Sequence, residues 1–282
     1  MNNTFDIKRF GLVFRKDLVE NGKRYMLSLL TMLGLMALVL TLYTSEYYSL
    51  ESNAADYLSL NNELLLFLLF MFFGFGIWFA STFSAPMNHK LKRLSFLVSP
   101  SSNLEKYLVR WMITTIGFVL AFFATMWIAD ILRVVICSAI YPDVDIRFID
   151  ITKLVSLKDD TYSPGEYMFP KGVFSILISL YFLLQSLFIL GSTCWEKASF
   201  IKTFTAGAAI FATFILICRR AILLFYGDFD GFFNVLNSFE LSQKYSSEQA
   251  ATFAAMVISV FTLTFWILAY FRMKESEITN RL

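Results

Sequence analysis

Long runs of apolar residues, separated by shorter charged segments, dominate the chain. Most of these runs approach or exceed the roughly 20 residues that a helix needs to cross a hydrocarbon core about 30 Å thick. The runs cover residues 25–43, 64–83, 111–129, 173–190, 204–218 and 250–270, of which the fifth is the shortest. The pattern therefore predicts an all-α integral membrane protein with six transmembrane helices.

The first 24 residues follow a different pattern, in which apolar and basic residues lie on separate helical faces. Ile7, Phe10, Phe14 and Leu18 recur at spacings of three and four, with lysines and arginines between them. This favours an amphipathic helix over residues 1–24 that lies in the membrane interface. A basic N-terminus that only sets the topology is the alternative.

The fifth run is followed by two arginines, which leaves two possible courses for the chain. Arg219 and Arg220 stand between residues 204–218 and a short apolar stretch, 221–226. Either one long helix carries both arginines, or the helix ends near Cys218 and the second stretch re-enters the membrane. Because a charged side chain near mid-bilayer is costly, we expect the second course, with a re-entrant element before the sixth helix.

The basic residues are distributed unequally over the segments that separate the spans. With the N-terminus in the cytoplasm, 16 of the 24 lysines and arginines lie on the cytoplasmic side, although the whole chain has a net charge of only +2. Cytoplasmic segments of membrane proteins carry an excess of lysine and arginine. We therefore expect a multi-pass protein with both termini in the cytoplasm.

A charged segment, Ser84–Arg110, separates the second and third apolar runs. Within it, Ser102-Asn103-Leu104-Glu105 matches a capping box, in which a serine and a glutamate satisfy the first N–H groups of a helix. A helix is therefore predicted to begin near Asn103. Upstream, Leu91, Leu94 and Leu97 recur every three residues and predict a separate short amphipathic helix. Two such helices between the second and third spans could be moved by a cytoplasmic partner. A solvated connecting loop is the alternative.

The run Arg93–Lys106, RLSFLVSPSSNLEK, resembles the stretch between the second and third helices of ABC-2 type transporter permeases, especially the small bacterial six-helix members. The basic N-terminal helix and the region after Cys218 are similar to elements of the same family. The resemblance implies that the segment contains a coupling helix that docks into a separate ATPase. The docking residues on this reading are Leu94, Leu97, Ser101, Ser102, Leu104 and Glu105.

The same resemblance implies a function. We expect the permease subunit of an ATP-driven ABC transporter in a bacterial inner membrane, which exports or flips an amphipathic or lipid-like substrate. The expected partners are an ABC-type ATPase subunit, which binds the ATP, and a second permease copy in a homodimer or heterodimer. No cofactor, no enzymatic activity and no nucleic-acid partner are expected of this chain.

Candidate catalytic chemistry is sparse. His89 is the only histidine, and Cys137, Cys194 and Cys218 are far apart, which argues against a metal or redox motif. The chain also lacks the GxxxxGK[ST] spacing of a phosphate-binding loop. A membrane-embedded enzyme, or a membrane scaffold or sensor without transport activity, remains as an alternative function.

A few polar residues lie within the spans or between them. A stripe in the fourth span could line a substrate path, although helix packing is the preferred interpretation of such hydroxyl-rich stripes. The stripe consists of Ser175, Ser179, Gln185 and Ser186. Asp130 and Arg133 are spaced to form an interfacial ion pair. The segment Pro142–Lys171 contains a Pro-Gly turn signal and is predicted to form a small ordered cap.

Overall fold

The structure is a computed structural model that describes residues 5–50, 57–85, 101–156, 168–195, 197–227 and 247–279. Its α-helices within these ranges are α1 (Ile7–Leu50), α2 (Tyr57–Ser81), α3 (Asn103–Met112), α4 (Phe118–Ile140), α5 (Lys171–Cys194), α6 (Ser199–Tyr226) and α7 (Ser247–Thr279). A short π-helix, Ile113–Gly117, lies between α3 and α4, and we call it the π-turn.

Within the described residues, six helical segments are long and apolar enough to cross a membrane, which confirms the six predicted spans. The π-turn does not interrupt the third of them, because α3, the π-turn and α4 follow one another without a gap. The segments are Ile7–Ser49, Ser59–Ser81, Asn103–Ile140, Lys171–Cys194, Ser199–Phe225 and Glu248–Glu275. The protein is thus a helical membrane protein with several transmembrane helices.

The N-terminal segment and the first span form one helix. α1 has 44 residues and does not end at the predicted boundary after Arg24. At about 1.5 Å per residue, such a helix is about 66 Å long, roughly twice the thickness of the hydrocarbon core. The first turns of α1 therefore extend beyond the part that crosses the membrane.

The helix around the two arginines also continues without interruption. α6 runs from Ser199 to Tyr226 as one long helix that carries both arginines, so the expected helix end near Cys218 is wrong. The length of the helix explains why. Arg219 lies 20 residues after Ser199, which is about 30 Å along a helix. The arginines can thus reach the far interface, where long basic side chains extend toward water, without a break in the helix.

Small residues allow the helices to approach each other closely. Gly76 of α2 lies under the ring of Tyr181 of α5, and a Cβ atom at Gly76 would come within 2.6 Å of that ring. Gly191 of α5 lies against the side chain of Thr203 of α6, again without room for a Cβ atom. Close helix contacts of this kind are common in membranes, where apolar side chains gain little by leaving lipid.

The apolar core has two parts. The larger part is formed mainly by α1, α2 and α4, with Tyr181 of α5 packed against them. The smaller part lies where α2 ends and α3 begins, at the end of the bundle that also holds the first turns of α1. We call this the basic end. The smaller core consists of Ala80, Phe83, Tyr107, Phe188, Ile189, Ala269 and Met273.

The connection between α4 and α5, at the opposite end, contains ordered structure. A 3-10 turn, Ile151–Leu154, precedes two short parallel strands, β1 (Val155–Ser156) and β2 (Phe169–Pro170). Asn61 of α2 binds this connection, since its Oδ1 accepts a hydrogen bond from the Asp150 N–H at 2.8 Å and its Nδ2 donates to the Asp150 carbonyl at 3.3 Å. The described part of the predicted cap is therefore attached to the bundle.

The predicted pair of Asp130 and Arg133 holds the same connection from α4. Arg133 Nε donates to Asp130 Oδ1 at 2.7 Å, and the Arg133 side chain is almost completely buried. Asp130 Oδ2 accepts from the Ile149 N–H at 2.9 Å, and Arg133 Nη2 donates to the Arg147 carbonyl at 2.7 Å. The pair is thus buried within the protein, because the connection folds back over it.

The close contact at Gly191 can be tested against a glycine that touches nothing. We expect Gly191→Ala to lower the free energy of unfolding by about 1–3 kcal/mol, because its methyl group would overlap the Thr203 side chain. At Gly34, no atom lies within 4 Å of the position that a methyl group would take, so Gly34→Ala should be neutral or stabilising by up to about 1 kcal/mol. Equilibrium unfolding in mixed micelles measures both, and equal effects would contradict the close packing.

Candidate functional site

The predicted coupling segment follows α2 and precedes α3 in the chain. Its central part, residues 86–100, lies outside the described residues and includes two of the predicted docking residues, Leu94 and Leu97. The residues that flank it on both sides are described, and polar contacts connect them to several helices. These flanks are the candidate functional site.

The predicted capping box is present at the start of α3. Ser102 Oγ accepts a hydrogen bond from the Glu105 N–H at 3.2 Å, and Glu105 Oε2 accepts one from the Ser102 N–H at 2.9 Å. The helix begins at Asn103, as the sequence predicts. The capping box therefore fixes the position at which the helix after residues 86–100 begins.

Glu105 also joins α3 to the start of α1. Its carboxylate is fully buried, and Oε1 accepts from the Asp6 N–H at 2.9 Å and from Arg9 Nη2 at 3.1 Å. The N–H groups of Asp6 and Ser102 and the Arg9 guanidinium thus surround the buried carboxylate with donors. Glu105 therefore fixes two chain segments at once.

A second contact between α1 and α3 centres on Asp17, whose carboxylate accepts three hydrogen bonds. Arg110 Nη2 donates to Oδ1 at 3.2 Å, Asn21 Nδ2 donates to Oδ1 at 3.1 Å, and Tyr25 donates to Oδ2 at 2.7 Å. Arg110 also donates through Nη1 to the carbonyl of Phe83, just after α2. The Asp17–Arg110 ion pair is largely buried and connects α1, α2 and α3.

The end of α2 is attached to two further helices. Ser84 Oγ donates to the carbonyl of Ser192 in α5. Ser199 Oγ, at the start of α6, donates to the Ser81 carbonyl at 2.9 Å. Together with the Arg110 contact, these bonds fix the chain just before residues 86–100. Both flanks of the segment are therefore anchored, one to α3, α5 and α6 and the other to α1.

The predicted substrate stripe on α5 is used for local contacts. The hydroxyls of Ser175, Ser179 and Ser186 each donate to a carbonyl three or four residues earlier in α5. Gln185 is fully buried, and its Nε2 donates to the carbonyl of Thr114 in the π-turn at 3.0 Å. These contacts favour helix packing over a polar path, and Gln185 connects α5 to the third span.

Several residues of the site were missing from the sequence prediction, namely Asp6, Arg9, Asp17, Asn21 and Tyr25. Asp17, Asn21 and Tyr25 recur every four residues, so a helical projection places them on one face, which continues the apolar stripe of Phe10, Phe14 and Leu18 toward the span. That spacing is a signal that the sequence contains. Their partner Arg110, 93 positions away from Asp17, could not be identified from helical spacing.

The buried Asp17–Arg110 pair should contribute far more than an exposed pair beside it. We expect Asp17→Asn to lower the free energy of unfolding by about 3–5 kcal/mol, because it leaves the Arg110 charge buried without compensation. Lys16→Gln, which breaks the exposed Lys16–Glu20 pair at 3.7 Å, should cost less than about 1 kcal/mol.

Equilibrium unfolding of both variants in mixed micelles provides the measurement. Similar losses for Asp17→Asn and Lys16→Gln would show that the buried pair does not hold the basic end together.

Comparisons of the chain with protein-family models, with curated proteins and with solved structures found no match.

Proposed function

We propose that the protein is the membrane-spanning permease subunit of an ATP-driven transporter whose ATPase is a separate chain. Its substrate on this proposal is amphipathic or lipid-like. The observation that carries the proposal is the anchoring of both flanks of residues 86–100 to the helix bundle. A segment that receives force from a partner must pass it to the spans, and these contacts provide the connection.

The contacts of the two flanks can transmit a displacement of residues 86–100 to the helices. On the α3 side, two charged pairs, Glu105–Arg9 and Arg110–Asp17, attach the segment to α1. On the α2 side, the hydroxyls of Ser84 and Ser199 connect it to α5 and α6. A connecting loop that serves only to join two spans needs no buried charges on its flanks, because burying a charge is costly without a purpose-built partner.

The described docking residues divide into two roles. Leu104 is 41 % exposed at the start of α3 and can contact a partner directly. Glu105 and Ser102 are engaged in the capping box, and the carboxylate of Glu105 is buried. Glu105 therefore positions the docking surface, whereas Leu104, with Leu94 and Leu97 from the sequence prediction, supplies its apolar contacts.

The charge distribution agrees with this proposal. The flanks of residues 86–100 lie at the basic end, which the excess of lysine and arginine assigns to the cytoplasm. An ATPase that uses cellular ATP would bind on that side. A bacterial inner membrane location, cytoplasmic termini and a second permease copy around a shared path belong to the same proposal.

The apolar docking residues provide the test. The protein is purified in mild detergent, and co-purifying ATPase subunits are identified and quantified by mass spectrometry. We expect Leu94→Asp, Leu97→Asp and Leu104→Asp in one chain to reduce the associated ATPase at least tenfold, because charges would replace the apolar contacts.

Leu12→Asp is the matched control, since Leu12 is 67 % exposed near the start of α1 but lies outside the docking segment. It should retain the ATPase. Normal association of the triple variant, or absence of any ATPase from the wild-type preparation, would contradict the proposed function.

A further inference from the structure

An apolar cavity opens between α1, α2, the π-turn and α4. Its volume is about 310 Å³, and its lining includes Leu29, Met32, Trp78, Ile116 and Leu120. An apolar cavity of about 150 Å³ in a protein core stays dry and binds benzene, so a cavity of this size accepts a longer stretch of hydrocarbon. Leu120 at its rim is 67 % exposed, which leaves the cavity accessible from the side of the bundle.

A small polar cavity adjoins the apolar one toward the basic end. It has a volume of about 20 Å³ and is lined in part by Asn21, Arg24 and Arg110. Tyr25 and Phe79 line both cavities, so the two share a wall. An apolar cavity with a small polar recess beside it matches the order of groups in an amphiphile, and the recess, at about 20 Å³, has room for a single oxygen of a headgroup.

The charges around the polar cavity favour an anion. Arg110 is neutralised by its ion pair with Asp17. Among the residues that the structure describes, no side chain forms a hydrogen bond or an ion pair with the guanidinium of Arg24. Two arginines and one aspartate therefore leave one positive charge at this place, and it belongs to Arg24.

The depth of the site fits one leaflet of a bilayer. Arg24 and Met32 lie eight residues apart on α1, which is about 12 Å along a helix. Half of a hydrocarbon core about 30 Å thick is about 15 Å. A molecule with its charged group at Arg24 would thus place its apolar chain in the cavity without crossing the mid-plane.

We propose that the two cavities form one binding site for an anionic phospholipid from the leaflet at the basic end. One acyl chain occupies the apolar cavity, and the phosphate headgroup contacts Arg24. This site does not depend on an ATPase or on transport, so it goes beyond the proposed function and can be tested on the isolated chain.

A second apolar cavity, of about 280 Å³ between α2, α4 and α5, serves as an internal comparison. It is lined by residues such as Leu68, Phe122 and Ile178, and none of the described residues in its wall carries a charge. Hydrocarbon could enter it, but it offers nothing that would distinguish one headgroup from another. Selectivity for an anionic lipid is therefore expected only at the Arg24 site.

Native mass spectrometry of the purified protein, with added phosphatidylglycerol or phosphatidylcholine of identical acyl chains, tests the proposal. We expect wild-type protein to retain phosphatidylglycerol at least fivefold better than phosphatidylcholine. Arg24→Gln should abolish this preference, because it removes a charge that no hydrogen bond or ion pair holds within the described part of the chain. Lys23→Gln is the matched control, since it removes the neighbouring charge, which does not line the polar cavity, and it should keep the preference.

Substitutions that fill the cavities distinguish binding of an acyl chain in the proposed site from general lipid binding. Ala121→Trp fills the apolar cavity near Arg24 and should reduce retained phosphatidylglycerol at least fivefold. Ile178→Trp fills the second apolar cavity and should leave the amount of retained phosphatidylglycerol unchanged. Equal retention of the two lipids by wild-type protein, or equal losses in Arg24→Gln and Lys23→Gln, would overturn the proposal. Unchanged phosphatidylglycerol binding by a folded Ala121→Trp variant would also overturn the proposal. If Ala121→Trp fails to fold, the comparison of Arg24→Gln with Lys23→Gln decides.

Discussion

The ion pair between Asp17 and Arg110 is the interaction on which the basic end depends. Two charges are removed from water there, and each is stable only because the other is present. The pair brings α1 against α3, and a second guanidinium nitrogen of Arg110, Nη1, donates to the carbonyl of Phe83, just after α2. Three helices are thereby held at one place. Glu105 makes a second connection between α3 and α1, through Asp6 and Arg9.

Local chemistry explains which parts of the fold could be predicted. A run of about 20 apolar residues is sufficient to indicate a span, so the six spans were predicted from the apolar runs alone. The capping box was predicted because its sequence pattern is confined to four consecutive residues. The course of α6 was predicted incorrectly, because the cost of buried arginines was weighed without the helix length that brings them to the interface.

The candidate site was predicted only in part for a related reason. Glu105 was identified, but as a contact for a partner, since nothing in its sequence neighbourhood shows that Asp6 and Arg9 enclose it. Pairings across 93 or 99 residues are decided by tertiary packing. The serines of α5 show the opposite case, because hydroxyls within a helix bind the preceding turn and their spacing says little about a substrate.

The position of α6 has a consequence for how this chain behaves in a bilayer. The contacts of α6 with the described part of the bundle, through Ser199, Thr203 and Gly207, lie in its first three turns, and the most apolar window of the helix has no buried residue. Among the described residues, no side chain forms a hydrogen bond or an ion pair with Arg219 or Arg220 at the opposite end. These contacts therefore leave the tilt of α6 free to adjust to the thickness of the surrounding lipid.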